Sequence, residues 1–217
     1  MTRDQVSKRI VEIGIVPVVR ASSPEMAVAA VAAIQKGGIP IAEITMTVPG
    51  AIDVIRTVCC EFGSEVLVGA GTVLSADEAK QCIDAGAEFV VSPALDLATI
   101  EAVHAAGKLM CPGALTPTEV VTAWKTGADF VKVFPCGNVG GAKYIKSLKA
   151  PFPQMRFIPT GGVSLTTAAE FLEAGADALG VGADLVDTKA LAAGESAKVT
   201  EAARQYADIV KQFRGRK

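Results

Sequence analysis

A glycine recurs at near-constant spacing along this chain, each time just ahead of an apolar run. The positions are Gly14, Gly38, Gly63, Gly86, Gly107, Gly127 and Gly175, separated by 24, 25, 23, 21, 20 and 48 residues. The last gap spans about two periods, with Ala150-Pro151 where one more glycine would stand. Glycine just past a helix end is the usual C-terminal stop, because it enters the left-handed region without a Cβ clash. The chain therefore reads as eight helix-to-strand junctions in succession. Strands are expected near 14–20, 41–48, 66–73, 89–93, 109–113, 130–135, 156–161 and 178–183, with an extra helix over 3–12. Ser23-Pro24, Ser75-x-x-Glu78 and Thr116-Pro117-x-Glu119 supply helix N-caps, first-turn prolines and capping acids between them.

Eight alternating units predict an α/β fold of the (β/α)8 barrel type, as one catalytic domain over residues 1–217. The rival is an open doubly wound sheet, which would carry a G-x-G-x-x-G turn. Gly69-Ala-Gly71 and Gly180-Val-Gly182 each lack the third glycine. Glycine-rich turns do follow the last two strands, at Thr160-Gly161-Gly162 and Gly180-Val-Gly182, where barrels place a phosphate. Half of the residues are hydrophobic and only 5% are aromatic, which suits small-residue packing of helices onto buried parallel strands.

The same composition excludes several classes. Net charge is −2 with both signs interspersed, so no nucleic-acid partner is expected. The longest apolar run, Met26–Ile34, is too short to span a membrane. The N-terminal MTRDQVSKRI is charged and lacks the apolar centre of a secretion signal. Five cysteines (Cys59, Cys60, Cys82, Cys111 and Cys136) include no C-x-x-C pair and read as reduced thiols of a cytoplasmic protein. With His104 as the one histidine, soft ligands for a metal are too few, and no metal or cofactor is expected.

The strands carry polar residues where a purely structural barrel would be apolar. Successive strand residues point to opposite faces. In 41–48, Ala42, Ile44, Met46 and Val48 form one apolar face, so Glu43, Thr45 and Thr47 are expected inside. In 130–135, Val131 and Val133 point out and Phe130, Lys132 and Phe134 point in. By the same alternation Arg20 lies with Val16 and Val18, Thr72 with Val68 and Ala70, and Thr160 with Ile158. Arg20, Glu43, Thr72, Lys132 and Thr160 should thus converge at the barrel mouth. The structural alternative is a buried ion pair, but such pairs add little net stability because desolvation offsets the attraction. Lysine chemistry explains the set better. A neutral amine adds to a carbonyl and becomes an iminium, an electron sink. Apolar surroundings with a second cation nearby favour the neutral amine. Glu43 could then move protons, and Arg20 offers a planar fork to a substrate carboxylate. A barrel isomerase or phosphate-binding protein that uses Lys132 only as a charge remains open at this point, as does a non-catalytic barrel.

The ordered motifs IVPVVRA (15–21), AEITMTVPGA (42–51), VGAGTV (68–73), VSPAL (91–95), CPGALTPTE (111–119), FVKVFP (130–135), PFPQMRFIPTGGV (151–163) and GVGADLV (180–186) resemble one family. It is that of the bacterial 2-keto-3-deoxy-6-phosphogluconate aldolases, with their 4-hydroxy-2-oxoglutarate and phosphogalactonate relatives. The resemblance covers about residues 5–210. It implies a homotrimeric class I aldolase without metal, acting on a small 2-keto-3-deoxy acid. Lys132 matches the family's Schiff-base lysine and Glu43 its acid–base glutamate. Arg20 and Thr72 match the contacts to the pyruvate carboxylate. Pro93, Phe134 and Thr160 match positions around the substrate. Gly161, Gly162, Gly182 and Ala183 match the phosphate site. Two positions depart from the pattern: Thr47 stands where some members have a carboxylate-binding arginine, and Ala183 where many have serine.

Overall fold

The computed structural model describes residues 1–215. Helix and strand alternate as the glycine period predicts. The first half runs α1 (Arg3–Ile13), β1 (Ile15–Val19), α2 (Pro24–Lys36), β2 (Ile41–Thr45), α3 (Ala51–Phe62), β3 (Leu67–Gly71), α4 (Ala76–Asp84) and β4 (Phe89–Val91). The second half runs α5 (Leu97–Ala105), β5 (Leu109–Cys111), β6 (Gly113–Ala114), α6 (Pro117–Lys125), β7 (Val131–Val133), α7 (Ala142–Lys149), β8 (Phe157–Pro159), α8 (Ala168–Glu173), β9 (Leu179–Val181), α9 (Thr188–Ala192) and α10 (Ser196–Gly215). All seven period glycines have φ between 52° and 113°, the left-handed stop from which each strand starts. Ser23, Ser75 and Thr116 cap α2, α4 and α6 through their side-chain oxygens, and Thr116 with Glu119 completes a reciprocal capping box.

Every strand pair is parallel, in the orders β5-β4-β3-β2-β1-β9 and β6-β7-β8. A parallel bridge between Thr160 and Gly180 joins the two sets on one side. On the other side β5 and β6 are one strand position interrupted at Pro112. Proline has no N–H for the ladder, but its carbonyl still accepts the Lys132 N–H at 2.9 Å. The result is a closed (β/α)8 barrel.

The strands are shorter than the apolar runs that announced them. β2 ends at Thr45, and Val48 N–H folds back to the Thr45 carbonyl at 3.0 Å. Thr47 is therefore exposed in a turn rather than inside the barrel. The inner wall also corrects the reading of β3. A Cβ at Gly69 would lie 2.2 Å from the Phe89 ring, and one at Gly71 would lie 2.0 Å from Glu43 Oε1. Both glycines face the lumen, so Val68 and Ala70 face the helices and Thr72 does not continue an inner face of theirs. Glycine carries no hydropathy signal, so alternation on this strand can be phased only by Leu67, Val68 and Ala70, and the structure inverts the phase that Val68 and Ala70 suggest.

The lumen is lined by Val16, Glu43, Phe89, Val91, Cys111, Lys132, Ile158 and Thr160, and Ile10 of α1 closes its floor. α1 is fastened there by polar ties. Arg3 donates to Asp129 Oδ2 at 2.9 Å and to the Gly127 carbonyl, and lies 3.2 Å from His104 Nε2. Arg156 donates to Ser7 Oγ at 2.6 Å while its guanidinium covers the Phe130 ring. His104 thus has a structural place beside α1, and burial holds its pKa below the usual histidine range.

Gly69→Ala should destabilise the fold by roughly 1–3 kcal/mol, the usual cost of overpacking, because the new methyl must displace the Phe89 ring. Gly182, with nothing within 4 Å of a built Cβ and no positive φ, is the control. Denaturant unfolding checks the pair: Gly69→Ala lowers the midpoint and Gly182→Ala leaves it close to the parent.

Candidate active site

Glu43 and Lys132 sit on β2 and β7, four steps apart around the eight strand positions and so on opposite walls. Their side chains meet across the lumen, Lys132 Nζ to Glu43 Oε1 at 3.9 Å, each 3% exposed. That separation is beyond hydrogen-bond reach. Glu43 Oε1 is buried and has no hydrogen-bond partner. Leaving a buried acceptor unsatisfied costs about 1–3 kcal/mol, which a pair kept for stability would avoid by closing up. The enclosed space beside the two groups has room for about one water molecule.

Burial pushes the Glu43 carboxyl above the ordinary carboxylate range, and the charges of Lys132 and Arg20 only partly oppose this. Lys132 Nζ lies 5.3 Å from the centre of the Phe134 ring, which turns its face toward the amine. Phe134 is half-buried and is held by its N–H to the Ala114 carbonyl at 3.2 Å. Thr160 is buried on the same wall: its N–H donates to the Val133 carbonyl and its carbonyl accepts from Cys136, both at 2.9 Å. A Cβ at Gly180 would lie 2.1 Å from Thr160 Oγ1, so this hydroxyl, like the Glu43 carboxylate, fills space that a glycine leaves open.

The structure sets the other expected residues around this centre at the C-terminal ends of the strands. Arg20 follows β1 and is exposed, with no ion pair among the described residues. It stands at the rim rather than inside the lumen. Thr72 follows β3 with φ 58°, the one non-glycine residue among those described with positive φ. Such strain costs on the order of 1–3 kcal/mol and concentrates at functional sites. Pro93 follows β4 and is half-buried, its carbonyl packed where a Cβ at Gly113 would fall. Thr45 Oγ1 donates to the Val19 carbonyl at 3.0 Å and lies 2.7 Å from Thr47 Oγ1, anchoring the turn beside Arg20. Gly71 and Cys111 line the centre without having been singled out; strand position alone gives Cys111 no chemical signature.

Gly161 and Gly162, with φ 85° and 80°, form the turn after β8, and Gly182 with Ala183 opens the turn after β9. The N–H groups of Gly162, Val163, Ala183 and Asp184 donate to no acceptor among the described residues. No helix starts directly after β9. Gly182 instead accepts the N–H groups of Leu185 and Val186 in a turn, and α9 begins at Thr188 with Asp187 as its cap. Asp184 is turned aside: its Oδ2 accepts the Tyr206 hydroxyl at 2.5 Å and the Leu165 N–H at 3.2 Å. Among the described residues, no three His, Cys, Asp or Glu side chains gather as a metal site. No helix there is long and apolar enough to cross a membrane.

Known proteins are similar to this chain in sequence and in fold. The family profile for KDPG and KHG aldolases matches residues 6–202. A 2-dehydro-3-deoxy-phosphogluconate aldolase of Treponema pallidum is 35% identical over 199 residues, covering 90% of this chain and 93% of its own. The KHG/KDPG aldolase of Escherichia coli K12 is 33% identical over 197 residues, covering 91% and 92%. The crystal structure of a Legionella pneumophila KDPG aldolase, with pyruvate captured as a covalent carbinolamine, superposes with a TM-score of 0.85 at 27% identity over 91% of this chain and 96% of that one. The chain belongs to the KDPG and KHG aldolase family of carbon–carbon lyases.

Proposed function

We propose that this protein is a class I aldolase that cleaves 2-keto-3-deoxy-6-phosphogluconate to pyruvate and glyceraldehyde 3-phosphate through a Schiff base on Lys132. The observation that carries this reading is the buried amine and carboxylate held 3.9 Å apart, with Glu43 Oε1 unpartnered. It is a pair with unmet hydrogen-bonding capacity at the reacting end of a barrel. The carbinolamine in the Legionella pneumophila relative supports it by similarity.

The chemistry follows from the residues. Lys132 Nζ adds to the keto carbon, and Glu43 delivers the proton that lets the carbinolamine lose water as the iminium forms. A carboxyl whose pKa burial has raised holds a proton more readily than an exposed one and can both give and take it. Glu43 then takes the proton of the C4 hydroxyl. The C3–C4 bond breaks, its electron pair enters the iminium to give an enamine, and the aldehyde departs. Protonation at C3 and addition of water release pyruvate and restore the amine. Arg20 and Thr72 hold the pyruvate carboxylate, and Pro93, Phe134 and Thr160 shape the space around the chain of the substrate. Gly161, Gly162, Gly182 and Ala183 seat the phosphate through backbone N–H groups. The same machinery would process the phosphogalactonate epimer, 4-hydroxy-2-oxoglutarate or an unphosphorylated acid, and a panel of these acids assayed for pyruvate ranks them. We further propose a cytoplasmic homotrimer. Leu74, 59% exposed after β3, and Leu97, 52% exposed at the start of α5, are apolar surface of the kind that subunit contacts cover.

Pyruvate with borohydride should modify Lys132 and abolish activity. Peptide mapping decides, and labelling at Lys108, Lys143 or Lys146 instead, or none, removes the Schiff-base assignment. Glu43→Gln should lower kcat by roughly 100- to 10,000-fold, the usual weight of a positioned acid–base group. Arg20→Ala should act mainly on KM, by roughly 10- to 100-fold. Near-normal turnover in Glu43→Gln would move the proton chemistry elsewhere. Ala183→Ser should widen the preference for the phosphorylated acid by about tenfold, through KM, by adding one hydrogen bond to a charged group. Equal use of the unphosphorylated acid by both variants would refute the phosphate seat.

A further inference from the structure

The candidate phosphate seat is made of two loops that share no backbone hydrogen bond beyond the Thr160–Gly180 bridge. The loop after β8 contributes the N–H groups of Gly162 and Val163, and the loop after β9 those of Ala183 and Asp184. Backbone donors hold an anion well only if their separation is fixed before it arrives. In each loop two glycines or a glycine and an alanine form the tip, so no side chain of the tip itself can set that separation. The brace lies one residue further on. Asp184 Oδ2 accepts the Leu165 N–H of the opposite loop at 3.2 Å, which links the two. The same oxygen accepts the Tyr206 hydroxyl at 2.5 Å. Tyr206 is on α10, outside the barrel, and is fully buried, so its hydroxyl is a fixed point. Within the loop after β8, Thr167 Oγ1 donates to the Gly162 carbonyl at 3.0 Å and accepts the Ser164 N–H at 2.9 Å, so motion at Leu165 is passed back to the glycine tip.

A buried tyrosine needs some acceptor, and any acceptor would satisfy it. Here the acceptor is the one carboxylate that spans both loops of the seat. It also sits beside the place an anion would occupy, where an untethered negative charge would repel it. We propose that Tyr206 is a positioning residue for the phosphate subsite: by holding Asp184 against Leu165 it fixes the spacing of the two rows of N–H donors and keeps the Asp184 charge turned away from them. This rests on the phosphate reading above. It adds to it that phosphate discrimination is set partly from the outer helix layer, and it makes Asp184 a brace despite its charge.

The test uses the full chain and inorganic phosphate as the probe, alone and as a competitive inhibitor, together with pyruvate as the probe of the other half-site. Tyr206→Phe should weaken phosphate binding and raise KM for the phosphorylated acid by roughly tenfold, the scale of one charge-assisted hydrogen bond loosened. Its kcat, its use of the unphosphorylated acid and the pyruvate-dependent borohydride trapping should stay at the parent level. Asp184→Asn, which keeps a carbonyl oxygen for both donors, should recover most of the phosphate affinity that Asp184→Ala loses, and it stands in should Tyr206→Phe fail to fold. A folded Tyr206→Phe with unchanged phosphate affinity overturns the brace, as does a variant in which phosphate binding, pyruvate trapping and kcat fall together. If the parent itself neither binds phosphate nor prefers the phosphorylated acid, the phosphate reading fails and this inference falls with it; preference kept in the parent and in every variant sinks the brace alone.

Discussion

The approach of Glu43 and Lys132 across the lumen is possible only because the wall between and beside them is stripped of side chains. A closed eight-stranded barrel has an interior just wide enough for its own side chains to fill. Placing a glutamate, a lysine and a threonine at its reactive end, with space left over, requires other positions to be empty. Gly69 yields to Phe89, Gly71 to the Glu43 carboxylate and Gly180 to Thr160 Oγ1, each at separations where a Cβ could not stand. The polar centre and the glycines are therefore one construction. The glycines are what let a charged pair sit 97% out of solvent without being pressed into contact, and what leaves Glu43 Oε1 without a partner.

The architecture was legible because its cause is local. A left-handed glycine at each helix end, a side-chain cap at several helix starts and short β-branched runs between them are decided within a few residues of each other, and all seven period glycines have the conformation the period implies. The convergence of Glu43 and Lys132 was legible for the same reason: each lies on a strand whose alternation has a clear phase. Where the phase signal vanished, the reading slipped. β3 offers only Leu67, Val68 and Ala70 around two glycines, and its inner face was read as its outer one. Thr47 and Arg20 fall just beyond their strands, where alternation no longer governs direction, and the structure places them at the rim. The break at Pro112 and the turn in place of a helix after β9 depend on which neighbours supply the missing hydrogen bonds, which lie more than a dozen residues away in the first case.

The gap between the two groups sets the electrostatic balance at Glu43. A shorter, doubly hydrogen-bonded pair would keep Glu43 ionised and Lys132 engaged. The gap instead lets burial dominate at Glu43, so that its proton is held more readily than on an exposed carboxylate. Arg20 at the rim adds a permanent positive charge near the same carboxylate without touching it. The centre is thus biased by its surroundings and remains free to exchange partners with what enters from the open end.

The floor of the lumen is the chain's first helix, and this has a consequence for how the reactive centre comes into being. Ile10 closes the space beneath Glu43 and Lys132, yet the ties that hold α1 there come from far along the chain: Arg3 to Asp129 and Ser7 to Arg156, 126 and 149 residues away. Such distant contacts form late, because the loops they close are long. During synthesis α1 emerges ahead of the strands it seals; the strand bearing Lys132 and the strand after it must both be in place before the base is closed. A one-ended chamber, and with it the burial of Glu43 beside Lys132, is therefore a property of the finished barrel alone, and an incomplete chain carries both residues without that environment.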